Sequence, residues 1–227
     1  MNPTPWLPSL LKDRPDLFRA IYDWNVYPHR WALPAWLEAV MLPAPVIALL
    51  EQSARGRERL SRHFRTALGL TDTSWEFAAP RRRLALLSAA SLQQLASFSG
   101  AALHATRIAH AVTRDQRRAL TTQIGEAAYD FALRQGRHHR GSSSWPWPET
   151  PTTDLGASVQ HTGWKIVCDC VADEAPPLRR RFRLKVPREI TFSDPAATAP
   201  EVAVVAWNFL QPITREALTR EEQSCLA

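Results

Sequence analysis

Cysteine, lysine and glycine are scarce in this chain of 227 residues. Its three cysteines, Cys168, Cys170 and Cys225, cannot form an evenly paired disulfide framework, which favours reduced thiols. The longest apolar stretch, Val40 to Leu50, contains two prolines and falls far short of the ~20 residues that a membrane-spanning helix needs. The first residues lack the basic region that opens a secretory signal. We therefore expect a soluble protein that stays in the compartment where it is made.

Motifs for catalysis and cofactor binding are also missing: we find no phosphate loop, dinucleotide fingerprint, nucleophile elbow or zinc-ligand spacing. Cys168 and Cys170 come closest to a metal pair, but on a helix their side chains would point about 200° apart, and no second pair would complete a site on a strand. His104 follows Leu103 in an apolar helix without a Ser or Cys motif to activate, which is typical of a buried structural histidine. We expect no enzyme, no metal, no cofactor and no small-molecule substrate.

Positive charge is abundant, with a formal net charge of +6 and a pI near 9.8. Solvation explains each basic run by itself, and docking to an acidic protein surface is the functional interpretation. The runs lie on separate elements and form no single stripe that could enter a groove, which disfavours nucleic-acid binding. A nucleic-acid-associated regulator that uses the arginine-rich surface is therefore only the alternative. The runs are Arg81 to Arg83, Arg114 with Arg117 and Arg118, and Arg179 to Arg181 with Arg183.

Helical periodicity dominates the first 136 residues. One helix is predicted from Pro45 to Leu68, closed by a left-handed Gly69. Thr113 and Gln116 predict a capping box that opens another helix. Residues 1–136 therefore form a main helical part, 137–153 a Ser/Trp/Pro loop, and 154–227 a smaller C-terminal part packed on the first, in one domain overall.

The C-terminal part has an ambiguous pattern. Trp164, Ile166 and Cys168 alternate like a strand, whereas Trp164, Val167 and Cys168 also fit a helix. From Arg179 to Pro187 apolar and basic residues alternate, which on pattern alone predicts an edge strand. An α+β fold with a small C-terminal hairpin is therefore the alternative to an all-α fold.

Four segments keep a fixed order along residues 20–215. They are Asn25 to Pro28 followed by Trp36; Gly100 with Leu103 and His104; Trp145-Pro146-Trp147-Pro148; and Arg181 to Pro187. Together these segments resemble the SctK (YscK) family of bacterial type III secretion systems. They carry the residues that we regard as structural parts of the family motifs.

The resemblance implies an all-α, irregular fold of about seven to nine helices, with residues 158–172 helical. It also implies a non-enzymatic cytoplasmic adaptor that links the cytosolic domain of the SctD-type inner-membrane ring protein to the SctQ-type sorting-platform protein. SctL and the SctN ATPase would be indirect partners. The protein would lie at the cytosolic face of the inner membrane through its partners, without inserting into it. As a hypothesis, an acidic patch on one partner is met by Arg179, Arg180, Arg181 and Arg183.

Overall fold

A computed structural model describes residues 7–38, 40, 42–111, 113–139, 154–192 and 200–227. These ranges contain helices and no strand, which confirms the all-α fold class. Two 3₁₀ helices (Pro28–Arg30 and Pro80–Leu86) and a π-helical turn (Ala132–Gly136) accompany the α-helices. The α-helices are α1 (Leu7–Asp13), α2 (Pro15–Val26), α3 (Pro34–Glu38), α4 (Ala44–Glu51), α5 (Ala54–Ala67), α6 (Ala89–Leu103), α7 (Ala105–Ala109), α8 (Arg114–Ile124), α9 (Glu126–Phe131), α10 (Arg137–His139), α11 (Leu155–Asp169), α12 (Pro176–Arg183), α13 (Pro200–Ala217) and α14 (Arg220–Leu226).

The alternative with a C-terminal hairpin is wrong. Residues 158–169 lie within α11, and the alternating basic stretch is helical as far as Arg183, the last residue of α12, and continues as a turn. Pro176 and Pro177 occupy the first turn of α12, where a missing backbone N–H costs nothing. Leu178 and Phe182, four residues apart, are both buried on this helix. An alternation of six residues is too short to distinguish the two-residue period of a strand from the 3.6-residue period of a helix. The apolar pair at helical spacing determines the structure here.

The described residues contain more α-helical segments than the predicted seven to nine, because single residues interrupt longer helical patterns. The predicted helix from Pro45 to Leu68 is divided at Ser53, whose Oγ accepts a hydrogen bond from the Gly56 N–H and so caps α5. Gly125, with φ of +87°, separates α8 from α9.

Two predicted helix ends are confirmed. Thr113 and Gln116 form the reciprocal capping box at the start of α8. After α5, Gly69 has φ of +62°, and the next N–H, of Leu70, donates to Arg65 O at 2.8 Å. This geometry closes the helix in the left-handed way that glycine allows.

The chain divides into two compact units. The first contains the described residues of Met1–Ala89, Glu174–Glu189 and Ser224–Ala227, and the second those of Ala90–Asp173 and Ile190–Gln223. Both units are thus discontinuous in sequence. The division into 1–136, 137–153 and 154–227 stays a prediction, since most of the loop lies outside the described residues.

Aromatic residues and one apolar cluster form the core of the first unit. Trp24 and Phe77 are buried and meet edge to face, with ring centroids 5.3 Å apart. A cluster of Val40, Phe64, Leu70 and Leu184 lies nearby in this unit, with Trp36 and Leu37 of α3 packed against it. Residues from α2, α5 and the end of α12 therefore share one interior.

In the second unit α6 and α11 approach each other closely through glycine. A Cβ added to Gly100 would lie 2.0 Å from Val159 O, and one added to Gly163 would lie 1.8 Å from Ala96 O. Because neither distance is physically possible, only glycine permits this backbone contact at both positions. The two helices are consequently held at a fixed separation.

Candidate partner interface

Arg181 lies inside the first unit. Its side chain is 1% exposed, Nη1 donates to Asp72 O, and Nη2 donates to Leu70 O at 3.2 Å. Its guanidinium carbon lies 5.7 Å from the Trp24 ring centroid. Burial, with the nearby positive charge of Arg65, lowers the pKa of Arg181 to about 10. A side chain buried in this way cannot reach another protein, so Arg181 does not contribute to a partner-binding surface with Arg179, Arg180 and Arg183.

Arg179 and Arg180 occupy the outer side of α12. Arg180 is exposed, and its Nη1 makes only a long contact, 3.4 Å, with Gly69 O. Arg179 is half-buried, as is Arg65, and the Nε of each is itself buried without a hydrogen-bond acceptor among the described residues, whereas the exposed charge is that of Arg180. No carboxylate in this part of the chain forms an ion pair with Arg65, Arg179 or Arg180. This surface therefore keeps positive charge that an acidic partner could neutralise.

Two of the family-like segments meet at Trp36. The indole Nε1 donates to Val186 O at 3.1 Å, one residue before Pro187, which is itself half-buried. The guanidinium carbons of Arg183 and Arg188 lie 5.5 Å and 5.3 Å from the Trp36 ring centroid. Such contacts hold long basic side chains in place at partly exposed sites. Trp36 thus orders the side chains of Arg183 and Arg188, and Arg188, like Arg180, is exposed to solvent.

The segment after α2 places a histidine against the end of α4. Pro28 is buried and opens the 3₁₀ helix, and His29 Nε2 lies 2.6 Å from Glu51 Oε1. Arg30 Nη2 donates to Glu51 Oε2 at 3.1 Å. Burial lowers the pKa of His29, although the hydrogen bond to Glu51 acts in the opposite direction. Burial alone would raise the pKa of Glu51, but the hydrogen bonds from His29 and Arg30 prevail and lower it.

The Leu103–His104 motif belongs to the interior of the second unit. Both residues are buried at the junction of α6 and α7, and His104 Nε2 lies 3.1 Å from Thr162 Oγ1 of α11. A buried histidine held against a neighbouring helix, without a nucleophile beside it, is a structural residue.

The cysteines and the carboxylates near the end of α11 form no metal site. Cys168 and Cys170 are both buried. Asp169 is buried and pairs with Lys165, whose Nζ lies 3.3 Å from Oδ2. Within the described residues no three metal-ligating side chains come together.

The first basic run serves the interior of its own unit. Glu174, buried at 7% exposure, accepts hydrogen bonds from Arg81 Nη2 at 3.1 Å and from Arg82 Nε at 2.8 Å. Arg83 donates to the carbonyl oxygens of Phe77 and Ala78. A run that looks like a charged surface in sequence is therefore largely engaged in internal contacts.

An open cavity of about 340 Å³ lies in the second unit beside α7, α8 and the start of α11. Its polar lining includes Arg107, His110, Gln123 and Asp154. Asp154 Oδ1 accepts hydrogen bonds from the first backbone N–H groups of α11, and Gln123 Nε2 donates to Oδ2. These bonds, the one from the Ala157 N–H foremost, lower the pKa of Asp154. The carboxylate therefore serves as a helix cap, and its geometry is not that of a catalytic acid.

Three features were missed by sequence reasoning. Lys185 is fully buried, and its Nζ donates to Ala85 O at 2.5 Å and to Leu87 O at 2.6 Å; burial holds its pKa well below the usual value. Arg188 was not grouped with the basic run that it extends beside Trp36. The exposed apolar side of α4 was also overlooked, although an eight-residue helix with a single charged residue was a detectable signal.

The Trp145-Pro146-Trp147-Pro148 motif lies outside the described residues. Of the other predicted motif residues, Pro28, Trp36 and Pro187 belong to the first unit, where Trp36 binds the carbonyl oxygen of Val186, the neighbour of Pro187, and Leu103 and His104 belong to the second. None of the helices in the described part of the chain is both long enough and apolar enough to cross a bilayer.

Comparison with known proteins gives one finding. Residues 20–217 match the model of the family described as YOP proteins translocation protein K (YscK). Neither the curated proteins nor the solved structures gave a match. The family model covers most of the chain and every one of the four segments picked out above. The chain therefore belongs to the YscK family and is a protein of the type III secretion system.

Proposed function

We propose that this chain is a non-enzymatic adaptor of the secretion apparatus, joining the cytosolic domain of the SctD-type inner-ring protein to the SctQ-type platform protein. SctL and the SctN ATPase are then indirect partners, and the chain works at the cytosolic face of the inner membrane. Family membership supports a place in the machinery. The observation that supports the binding role is the outer side of α12, where Arg180 is exposed, Arg179 is half-buried, and neither forms an ion pair with a carboxylate of the described chain.

Electrostatic docking explains this arrangement better than solvation alone. Arg183 and Arg188 are held over the Trp36 ring, and Arg65 lies half-buried near the buried Arg181. Preorganised guanidinium groups lose less side-chain entropy when they pair with carboxylates. Complementary charge of this kind raises association rates and selects partners. An acidic patch on the SctQ-type or SctD-type protein is the expected counterpart.

Charge reversal tests the proposal. The double variant Arg179→Glu, Arg180→Glu should weaken binding to one of these two proteins by about tenfold, since exposed charge pairs each contribute up to about 1 kcal/mol. The matched control is Arg114→Glu, Arg118→Glu on α8, which changes the net charge equally at exposed positions. Affinity is measured by calorimetry at moderate salt. Equal affinities for wild type and the α12 variant would remove α12 from the interface, and failure of the wild type to bind either protein would refute the adaptor function.

A further inference from the structure

Helix α4 presents an apolar side that no described residue covers. None of its eight residues is buried. Val46 and Leu49, three residues apart on one face, are 40% and 65% exposed. Pro45 and Ala48 beside them are exposed as well. Exposed apolar residues grouped on one element mark a binding surface more often than isolated ones do.

Positive charge borders this apolar side. Together α4 and α5 contain five arginines and two glutamates. Glu51 is already bound by His29 and Arg30, and Glu58 accepts from Arg62 Nη2 at 2.9 Å. The carboxylates of these helices are thus engaged, and an excess of arginine remains.

Arg55 and Arg59 carry that excess next to α4. They are four residues apart on the exposed face of α5, and no carboxylate in the described chain pairs with either. The start of α5 lies directly against the end of α4: Arg57 Nη1 donates to Glu51 O at 2.9 Å, and a Cβ on Gly56 would lie 2.1 Å from Leu50 O. Apolar contact and positive charge are therefore adjacent.

We propose that α4 and the first two turns of α5 bind an amphipathic helix of a partner protein. Its apolar stripe covers Val46 and Leu49, and carboxylates beside that stripe pair with Arg55 and Arg59. Eight residues of α4 extend for about 12 Å, which matches about two turns of the bound helix. A protein partner is favoured over a lipid surface because α4 has no aromatic residue to anchor at a membrane interface. This inference rests on the proposed adaptor function, and the surface is separate from the outer side of α12.

The test uses the full-length chain, titrated calorimetrically with the SctQ-type platform protein and with the cytosolic domain of the SctD-type ring protein of the same secretion system. The variants are Leu49→Asp and the pair Arg55→Glu, Arg59→Glu. Their controls are Val204→Asp, at a 52% exposed position on α13, and the α8 pair Arg114→Glu, Arg118→Glu. Because all these side chains are exposed, each variant should keep the wild-type melting temperature.

Both α4–α5 variants should weaken binding to the same one of the two proteins by at least about tenfold, with both controls within about twofold of wild type. A photocrosslinker at position 49 should capture a segment of that protein with carboxylates beside an apolar helical stripe. Unchanged binding of both variants overturns this inference while leaving the adaptor function intact. Wild-type protein that binds neither probe refutes both. Adsorption to phosphatidylglycerol vesicles that is lost in Leu49→Asp, with unchanged protein binding, would assign α4 to lipid and also overturn the inference.

Discussion

Replacing Gly163 by alanine should destabilise the protein although alanine is the better helix former. In an exposed helix this change would gain about 1 kcal/mol. Here the new Cβ would lie 1.8 Å from Ala96 O and 2.6 Å from the carbonyl carbon of the same residue. Both atoms belong to the backbone of α6, so the helices must separate by more than an ångström. Overpacking that shifts backbone costs about 3 kcal/mol, which leaves a net loss of about 2 kcal/mol.

Gly156→Ala provides the matched control in the same helix. Its added Cβ would lie 1.4 Å from Gln123 Oε1, the far end of a flexible side chain that can turn away. Only the hydrogen bond from Gln123 to Asp154 is lost, so stability should stay within about 1 kcal/mol of wild type. Thermal unfolding followed by circular dichroism measures both variants, and 2 kcal/mol corresponds to a melting temperature about 4–8 °C lower. A Gly163→Ala protein as stable as wild type would show that α6 and α11 are not in rigid backbone contact.

Three further outcomes follow from buried polar groups. The free energy of unfolding should fall as the pH is lowered from 7 to 5, because the unfolded chain protonates His29 near pH 6.5 while burial lowers its pKa in the folded protein. In denaturant titrations, the unfolding free energy of His29→Gln should depend less steeply on pH than that of wild type. The same pH dependence in both proteins would contradict this. Glu174→Gln should lower the free energy of unfolding by about 1–3 kcal/mol in the same assay, since Arg81 and Arg82 lose their buried counter-charge. An unchanged free energy would mean that the two ion pairs do not stabilise the fold. Arg181→Met should lower the melting temperature by several degrees because three backbone carbonyls lose their donor. Arg180→Met should stay within about 0.5 kcal/mol of wild type, and equal effects of the two changes would refute the assigned burial.

Local signals predicted helix ends well and strand content poorly. The capping box at Thr113 and the left-handed Gly69 depend on a few adjacent residues, and both are present as predicted. The stretch from Arg179 to Pro187 was ambiguous because its alternation spans too few residues to distinguish the two periods. As far as Arg183 it belongs to α12, which buries Leu178 and Phe182 in the interior of the first unit, and a local pattern cannot show such long-range packing.

The position of each arginine relative to the interior could not be predicted either. Arg180 and Arg181 are neighbours in sequence, yet one is exposed and the other is 1% exposed. On a helix, adjacent residues point about 100° apart, so a basic run necessarily places some members inward. Which member turns inward depends on the carbonyl acceptors of Leu70 and Asp72, which lie more than a hundred residues earlier.

Arginine serves two separate purposes in the first unit, and exposure divides them. Arg81, Arg82 and Arg181 satisfy buried oxygens, so their loss should act on stability. Arg55 and Arg180 are exposed with no carboxylate partner in the described chain, so their loss should act on binding. The proposed adaptor function fits this separation, because binding surfaces that are distinct from the buried contacts can vary in charge without unfolding the scaffold. On this reasoning, Arg180→Glu and the charge-reversal pair of α5 should bind less tightly yet melt at the wild-type temperature. Arg181→Met should instead melt at a lower temperature, with unchanged partner affinity per folded molecule.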